Sequence, residues 1–154
     1  MSIKVEHLEF TYFEDRKNIL CDLSAEFDAG EITILTGASG CGKSTLLYLA
    51  AGIYPHSAGI LRSGSVSVEG VRPDSLTASK RCALVGMMFQ NPELQFCMDT
   101  VEHELLFCLE NICTPREEMM EKVDGALAFC EISHLKKRTL HSLSGGERQK
   151  VMLA

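Results

Sequence analysis

Nine residues, Gly37-Ala38-Ser39-Gly40-Cys41-Gly42-Lys43-Ser44-Thr45, constrain this chain more than any other feature. They fit the phosphate-loop pattern G-x-x-x-x-G-K-[ST] without a mismatch. Their flanks predict how the loop is built. Glu31-Ile32-Thr33-Ile34-Leu35-Thr36 is a short apolar, β-branched run that reads as a buried strand, and residues 46–51 read as a helix. Strand, glycine-rich loop and helix bring a polyphosphate to a helix N-terminus, where unpaired N–H groups and the positive end of the dipole meet negative charge. Gly37, Gly40 and Gly42 carry no Cβ, so the backbone can close around phosphate oxygens, with Ser39 and Cys41 in the permissive positions between them. Lys43 is expected to reach the β- and γ-phosphates, Ser44 to offer its hydroxyl to Mg²⁺, and Thr45 to complete the cradle. The competing reading is a glycine-rich turn without a ligand.

Composition removes several function classes. With 154 residues the chain holds one domain with a real core, or one and a fraction. A formal net charge of −6 argues against a large nucleic-acid footprint and against adhesion to acidic lipid. No apolar run is long enough to cross a membrane, and the N-terminus lacks the apolar stretch of a signal peptide. The expected location is therefore cytoplasmic. Seven scattered cysteines, none in C-x-x-C spacing, suit a reducing compartment and read mostly as small core residues.

Strands are expected over residues 3–10, 21–27, 65–69 and 82–89, the last as a continuous buried apolar run. Helices take over from residue 99. Asp99-Thr100-Val101-Glu102, Thr114-Pro115-Arg116-Glu117 and Ser144-Gly145-Gly146-Glu147 each read as a capping box. Met119, Val123, Leu127 and Cys130 recur at helical spacing and read as a core stripe. The expected division is residues 1–98, a β subdomain and phosphate-loop core, followed by a helical segment, residues 99–154.

Leu143-Ser144-Gly145-Gly146-Glu147-Arg148-Gln149-Lys150 resembles the signature motif of ATP-binding-cassette (ABC) ATPases. Gln90 resembles the family's Q-loop glutamine, and Tyr12 its adenine-stacking aromatic. The resemblance spans essentially the whole chain. It implies an α/β fold: a P-loop NTPase core of ABC type, incomplete here, with an N-terminal antiparallel β subdomain and an α-helical signature subdomain. It also implies ATP and Mg²⁺ as ligands. Tyr12, Gly37, Ser39, Gly40, Cys41, Gly42, Lys43, Ser44, Thr45, Ser144, Gly145 and Gly146 would hold the nucleotide. Lys43 and Gln90 would act in catalysis, and Ser44 and Gln90 would reach the metal. In this family the signature turn, itself a helix N-terminus, meets the γ-phosphate held by a second ATPase subunit, identical or not. An integral membrane transporter subunit is the further partner, which places the protein on the inner face of the cell membrane; no nucleic-acid partner is implied. The competing reading of Ser144-Gly145-Gly146 is an ordinary capped helix.

The run Phe89-Gln90-Asn91-Pro92-Glu93-Leu94-Gln95-Phe96, with Thr100-Val101-Glu102 after it, resembles the ATPases of energy-coupling-factor importers, including the cobalt-type ones. Vitamins or transition-metal ions are then the expected cargo. Leu94 and Phe96 read either as a docking patch for the membrane partner or as residues packed beneath the following helix. One departure stands out: no segment supplies an apolar run ending in Asp-Glu, the family's Walker B motif, nor its switch histidine. The chain therefore reads as a fragment, inactive in hydrolysis by itself. The competing functions are a soluble ABC ATPase of repair or translation, and a nucleotide-binding module that does not hydrolyse.

Overall fold

A computed structural model describes residues 2–91 and 95–154. It forms two compact units, Met1–Gly86 and Met87–Ala154.

The first unit is built on a three-stranded antiparallel sheet in the order β2-β1-β3, with β1 at Ile3–Thr11, β2 at Leu20–Phe27 and β3 at Ile60–Val68. Val5, Leu8 and Phe10 of β1 are all buried, although strict alternation would put Val5 and Leu8 on opposite faces. The register shifts between them, and His7 has a positive φ of 45°, so the strand steps sideways by one residue and keeps both side chains on the core face. Helix α1, Lys43–Ala50, buries Leu46, Leu49 and Ala50 in the same cluster as Val5, Leu8, Phe10, Leu20 and Val66. That packing fixes the start of α1, and hence the phosphate loop. Helix α2, Ala78–Leu84, follows a short turn at Pro73–Ser75.

In the second unit α3 (Val101–Asn111), α4 (Arg116–Phe129) and α5 (Gly145–Leu153) enclose their own core. Val101, Leu105, Val123, Leu127 and Val151 meet there with Cys130, Ile132, Leu135, Leu140 and Leu143. The stripe Met119, Val123, Leu127, Cys130 is buried throughout. Full burial of a side chain such as Leu127 contributes about 1.5–3 kcal/mol. No helix among the described residues is long and apolar enough to cross a membrane.

Several expectations fail. Residues 31–36 form no strand: Ile32 is 96% and Ile34 80% exposed, and the segment joins none of the sheet's ladders. A run of this composition becomes a buried strand only beside neighbours that take up its N–H and C=O groups, and the described residues provide none. The strand expected over 82–89 is also absent. Ala78-Ser79-Lys80-Arg81 are good enough helix formers to carry α2 through Leu84, and residues 85–89 continue without regular structure.

The expected boxes at Asp99 and Thr114 are not formed either. The cap of α3 is Thr100, which accepts from the His103 N–H. Glu102, instead of reaching back, takes Lys137 Nζ at 2.5 Å, while Asp99 O takes the Leu140 N–H. Helix α4 starts one residue later, after Pro115, with no side-chain cap. Six of the seven cysteines are exposed and only Cys130 is buried, because the others occupy outward positions or loops. Phe96 packs against the helical core, as the second of its two readings had it, and Leu94 lies outside the described residues.

Candidate functional site

The phosphate loop enters α1 through Gly42, whose φ of 99° is left-handed and whose hypothetical Cβ would lie 2.7 Å from Leu20 Cδ2. The backbone conformation favours glycine there, and a side chain would also have to displace the Leu20 and Ile19 side chains beside the helix start. Gly37 and Gly40 also have positive φ. Gly42 has no side chain with which to cap α1, and among the described residues no side chain accepts from the helix's first-turn N–H groups, which point out of the helix end. Lys43 Nζ donates to Gly37 O and Ala38 O, each at 2.7 Å, and lies 3.7 Å from Cys41 Sγ. An ammonium has three donors, so two of them hold the loop's first turn together. Ser39, Gly40 and Ser44 are exposed.

Thr45 is buried, and its hydroxyl lies 2.8 Å from Tyr12 Oη. Tyr12 is half-buried. Its ring meets Phe10 and Tyr54 edge-on, at centroid distances of 5.3 and 5.8 Å, and Tyr54 in turn lies 5.0 Å from Tyr48. Burial, and then the hydrogen bond with Tyr12, push the Tyr54 hydroxyl up to about 12. Behind Tyr12, the fully buried Thr11 donates its hydroxyl to Phe13 O at 2.8 Å and fixes the connection out of β1. The fold thus brings Tyr12 and residues 37–45 together in the first unit, while Gln90 and Ser144–Gly146 belong to the second. Sequence reasoning missed Tyr48 and Tyr54. Tyr48 was within reach of it, one helical turn after Thr45.

In the second unit Gln90 is exposed. Ser144 caps α5 in a complete box: its hydroxyl accepts from Glu147 N at 3.3 Å, and Glu147 Oε2 takes the Ser144 N–H at 2.7 Å and stands 2.6 Å from Ser144 Oγ. The hydroxyl and N–H of Ser144 hold the Glu147 carboxyl below the usual carboxylate range. The exposed Gly145 and Gly146 follow at the start of the helix. Two helix N-termini with exposed glycines, one holding a lysine, are arrangements suited to phosphate.

Residues 20–154 match the family described as ABC transporter. The chain belongs to the ABC transporter ATP-binding family. It is 43% identical over 153 residues to YkoD of Bacillus subtilis, named as an HMP/thiamine import ATP-binding protein; the match covers 99% of this chain and 28% of YkoD. It is 36% identical to the energy-coupling factor transporter ATP-binding protein EcfA1 of Leuconostoc mesenteroides, covering 99% of this chain and 54% of that protein. Among solved structures it resembles CbiO1 of Clostridium perfringens, part of the ABC transporter complex CbiONQ, with TM-score 0.80 and 30% identity over 98% of this chain and 59% of that one. The α/β class and the ABC ATPase fold expected from sequence therefore stand. The chain spans between a quarter and three-fifths of the length of these relatives.

Cys41, exposed inside this family's loop and close to Lys43, gives a direct chemical probe of it. Alkylation of Cys41 is expected to block Mg-ATP binding, and Mg-ATP to slow the labelling; Cys41→Ser should bind nucleotide and resist the reagent. Peptide mass spectrometry decides, and labelling of Cys41 at the same rate with and without Mg-ATP contradicts it.

Proposed function

We propose that the chain binds Mg-ATP through residues 37–45 and that the protein carrying it powers import through a membrane transporter complex. The observation that carries the binding reading is the uncapped start of α1 with Lys43 folded into the glycine loop before it. Lys43 Nζ would exchange a loop carbonyl for phosphate oxygens, and the first-turn N–H groups would take the others. The exposed Ser44 hydroxyl at the start of α1 is an oxygen donor of the kind magnesium takes. Among the described residues no three His, Cys, Asp or Glu side chains are gathered to hold a metal ion by themselves. Mg²⁺ is commonly held by a few protein oxygens together with substrate phosphates; the Ser44 hydroxyl would be one of them, and Gln90 is given the same role by its resemblance to the family's Q-loop glutamine alone. Tyr12 would lie against the base, and Ser144, Gly145 and Gly146 would face the nucleotide of a second ATPase subunit. Hydrolysis of bound ATP supplies the free energy of such a cycle.

The importer reading is supported by the names of the relatives, which belong to HMP/thiamine import and energy-coupling-factor transport. A vitamin or a transition-metal ion is the cargo this favours. The partners are then a second ATPase subunit and an integral membrane subunit, with the protein peripheral on the inner membrane face. Calorimetric titration of the chain with Mg-ATP is expected to give one saturable site per chain. No heat from ATP, in a chain whose circular dichroism reports both helix and sheet, would refute the binding reading.

A further inference from the structure

We propose that Gln95 is a positioning residue for Gln90. Its half-buried side-chain amide bonds backbone on the near side of Gln90: Oε1 accepts from Phe89 N and Nε2 donates to Met87 O, both at 3.0 Å. The C=O of one residue and the N–H two further on point the same way in extended backbone. They are the pair that one residue of a parallel neighbouring strand would bond. The Gln95 amide takes that residue's place for residues 87–89, which join no strand ladder among the described residues. Phe89 is the residue immediately before Gln90, so the clamp ends where the candidate catalytic side chain begins.

The far side of the loop is fixed as well. Glu104 of α3, only 7% exposed, accepts the N–H groups of Cys97 and Met98 on one oxygen, at 2.9 and 2.8 Å. Gln95 therefore sits on backbone tied to α3 while its own amide holds the start of the loop, and the loop's two ends are cross-linked by polar side chains. Gln95 acts by setting where Gln90 starts, without touching nucleotide. This rests on reading Gln90 as the glutamine that serves the metal or the attacking water.

The test is steady-state hydrolysis by the intact protein carrying this chain, with Gln95→Met, Gln95→Glu, Gln90→Ala and the Gln90→Ala/Gln95→Met pair. Gln95→Met is expected to lower kcat about tenfold with KM for ATP changed by less than about twofold, and the double variant to be no slower than Gln90→Ala alone. Gln95→Glu separates position from folding. As a carboxylate it loses the donor and faces Met87 O; once protonated it regains one donor and one acceptor, the pattern of the amide. Because the carbonyl favours its neutral form, its rate relative to the unmodified protein should rise as pH falls, and that of Gln95→Met should not. Unchanged kcat in Gln95→Met beside an impaired Gln90→Ala overturns the proposal and leaves the Gln90 reading standing. Multiplicative losses in the double variant also overturn it, since Gln95 then acts elsewhere. Full activity in Gln90→Ala removes the reading of Gln90 and the proposal with it.

Discussion

Replacing Lys43 by alanine is expected to weaken Mg-ATP binding by at least about a hundredfold, a loss of about 2.7 kcal/mol. The ammonium supplies the full positive charge within the loop, and charge-assisted hydrogen bonds each contribute about 1.5–3 kcal/mol. Its present acceptors, Gly37 O and Ala38 O, belong to exposed residues, so water can replace the lost donors and the fold should be little disturbed. Binding loss is thereby separable from unfolding: calorimetry should show no measurable site while the urea midpoint stays within error of the unmodified chain. An unchanged dissociation constant would remove the phosphate-loop assignment altogether.

The largest stability effect is expected at Gly64. This residue of β3 crosses β1 where the register breaks at His7, with φ 81°. A Cβ there would lie 2.3 Å from Glu6 O and 2.4 Å from His7 O, both backbone atoms that cannot swing aside. The left-handed conformation alone costs a side chain about 1–2 kcal/mol, and forcing two strands apart adds about 1–3 kcal/mol. Gly64→Ala should therefore cost about 3–4 kcal/mol, enough to lower the denaturant midpoint sharply for a first unit whose core is set by that sheet. A midpoint shift equivalent to less than about 1 kcal/mol would mean that β1 and β3 cross differently.

What was legible in the sequence divides along physical lines. Features held by local chemistry were readable. Ser144 and Glu147 satisfy each other across one helical turn, and Met119, Val123, Leu127 and Cys130 share a face through helical spacing alone. Features that depend on a remote partner were not. Residues 31–36 have a strand's composition, yet composition cannot say whether a neighbour is there to pair with. The α3 cap moved from Asp99 to Thr100 because Glu102 had partners in Lys136 and Lys137, more than thirty residues away. The loop glycines, Lys43 and Tyr12 were found as a motif. The Tyr12–Thr45 hydrogen bond and the Gln95 clamp carry no sequence pattern, since each is set by backbone geometry that the chain acquires only on folding.

The aromatic cluster beside α1 has an optical consequence. The chain contains no tryptophan and three tyrosines, Tyr12, Tyr48 and Tyr54, and all three stand within that one cluster. Its tyrosine emission therefore comes from a single place, the ground on which the phosphate loop stands. Most proteins spread such chromophores through their volume and need an introduced dye to report on one site. Here the hydroxyl of Tyr12, resting on Thr45, ties the native emission to the first turn of α1, so the unlabelled chain carries a built-in local reporter of whatever settles there.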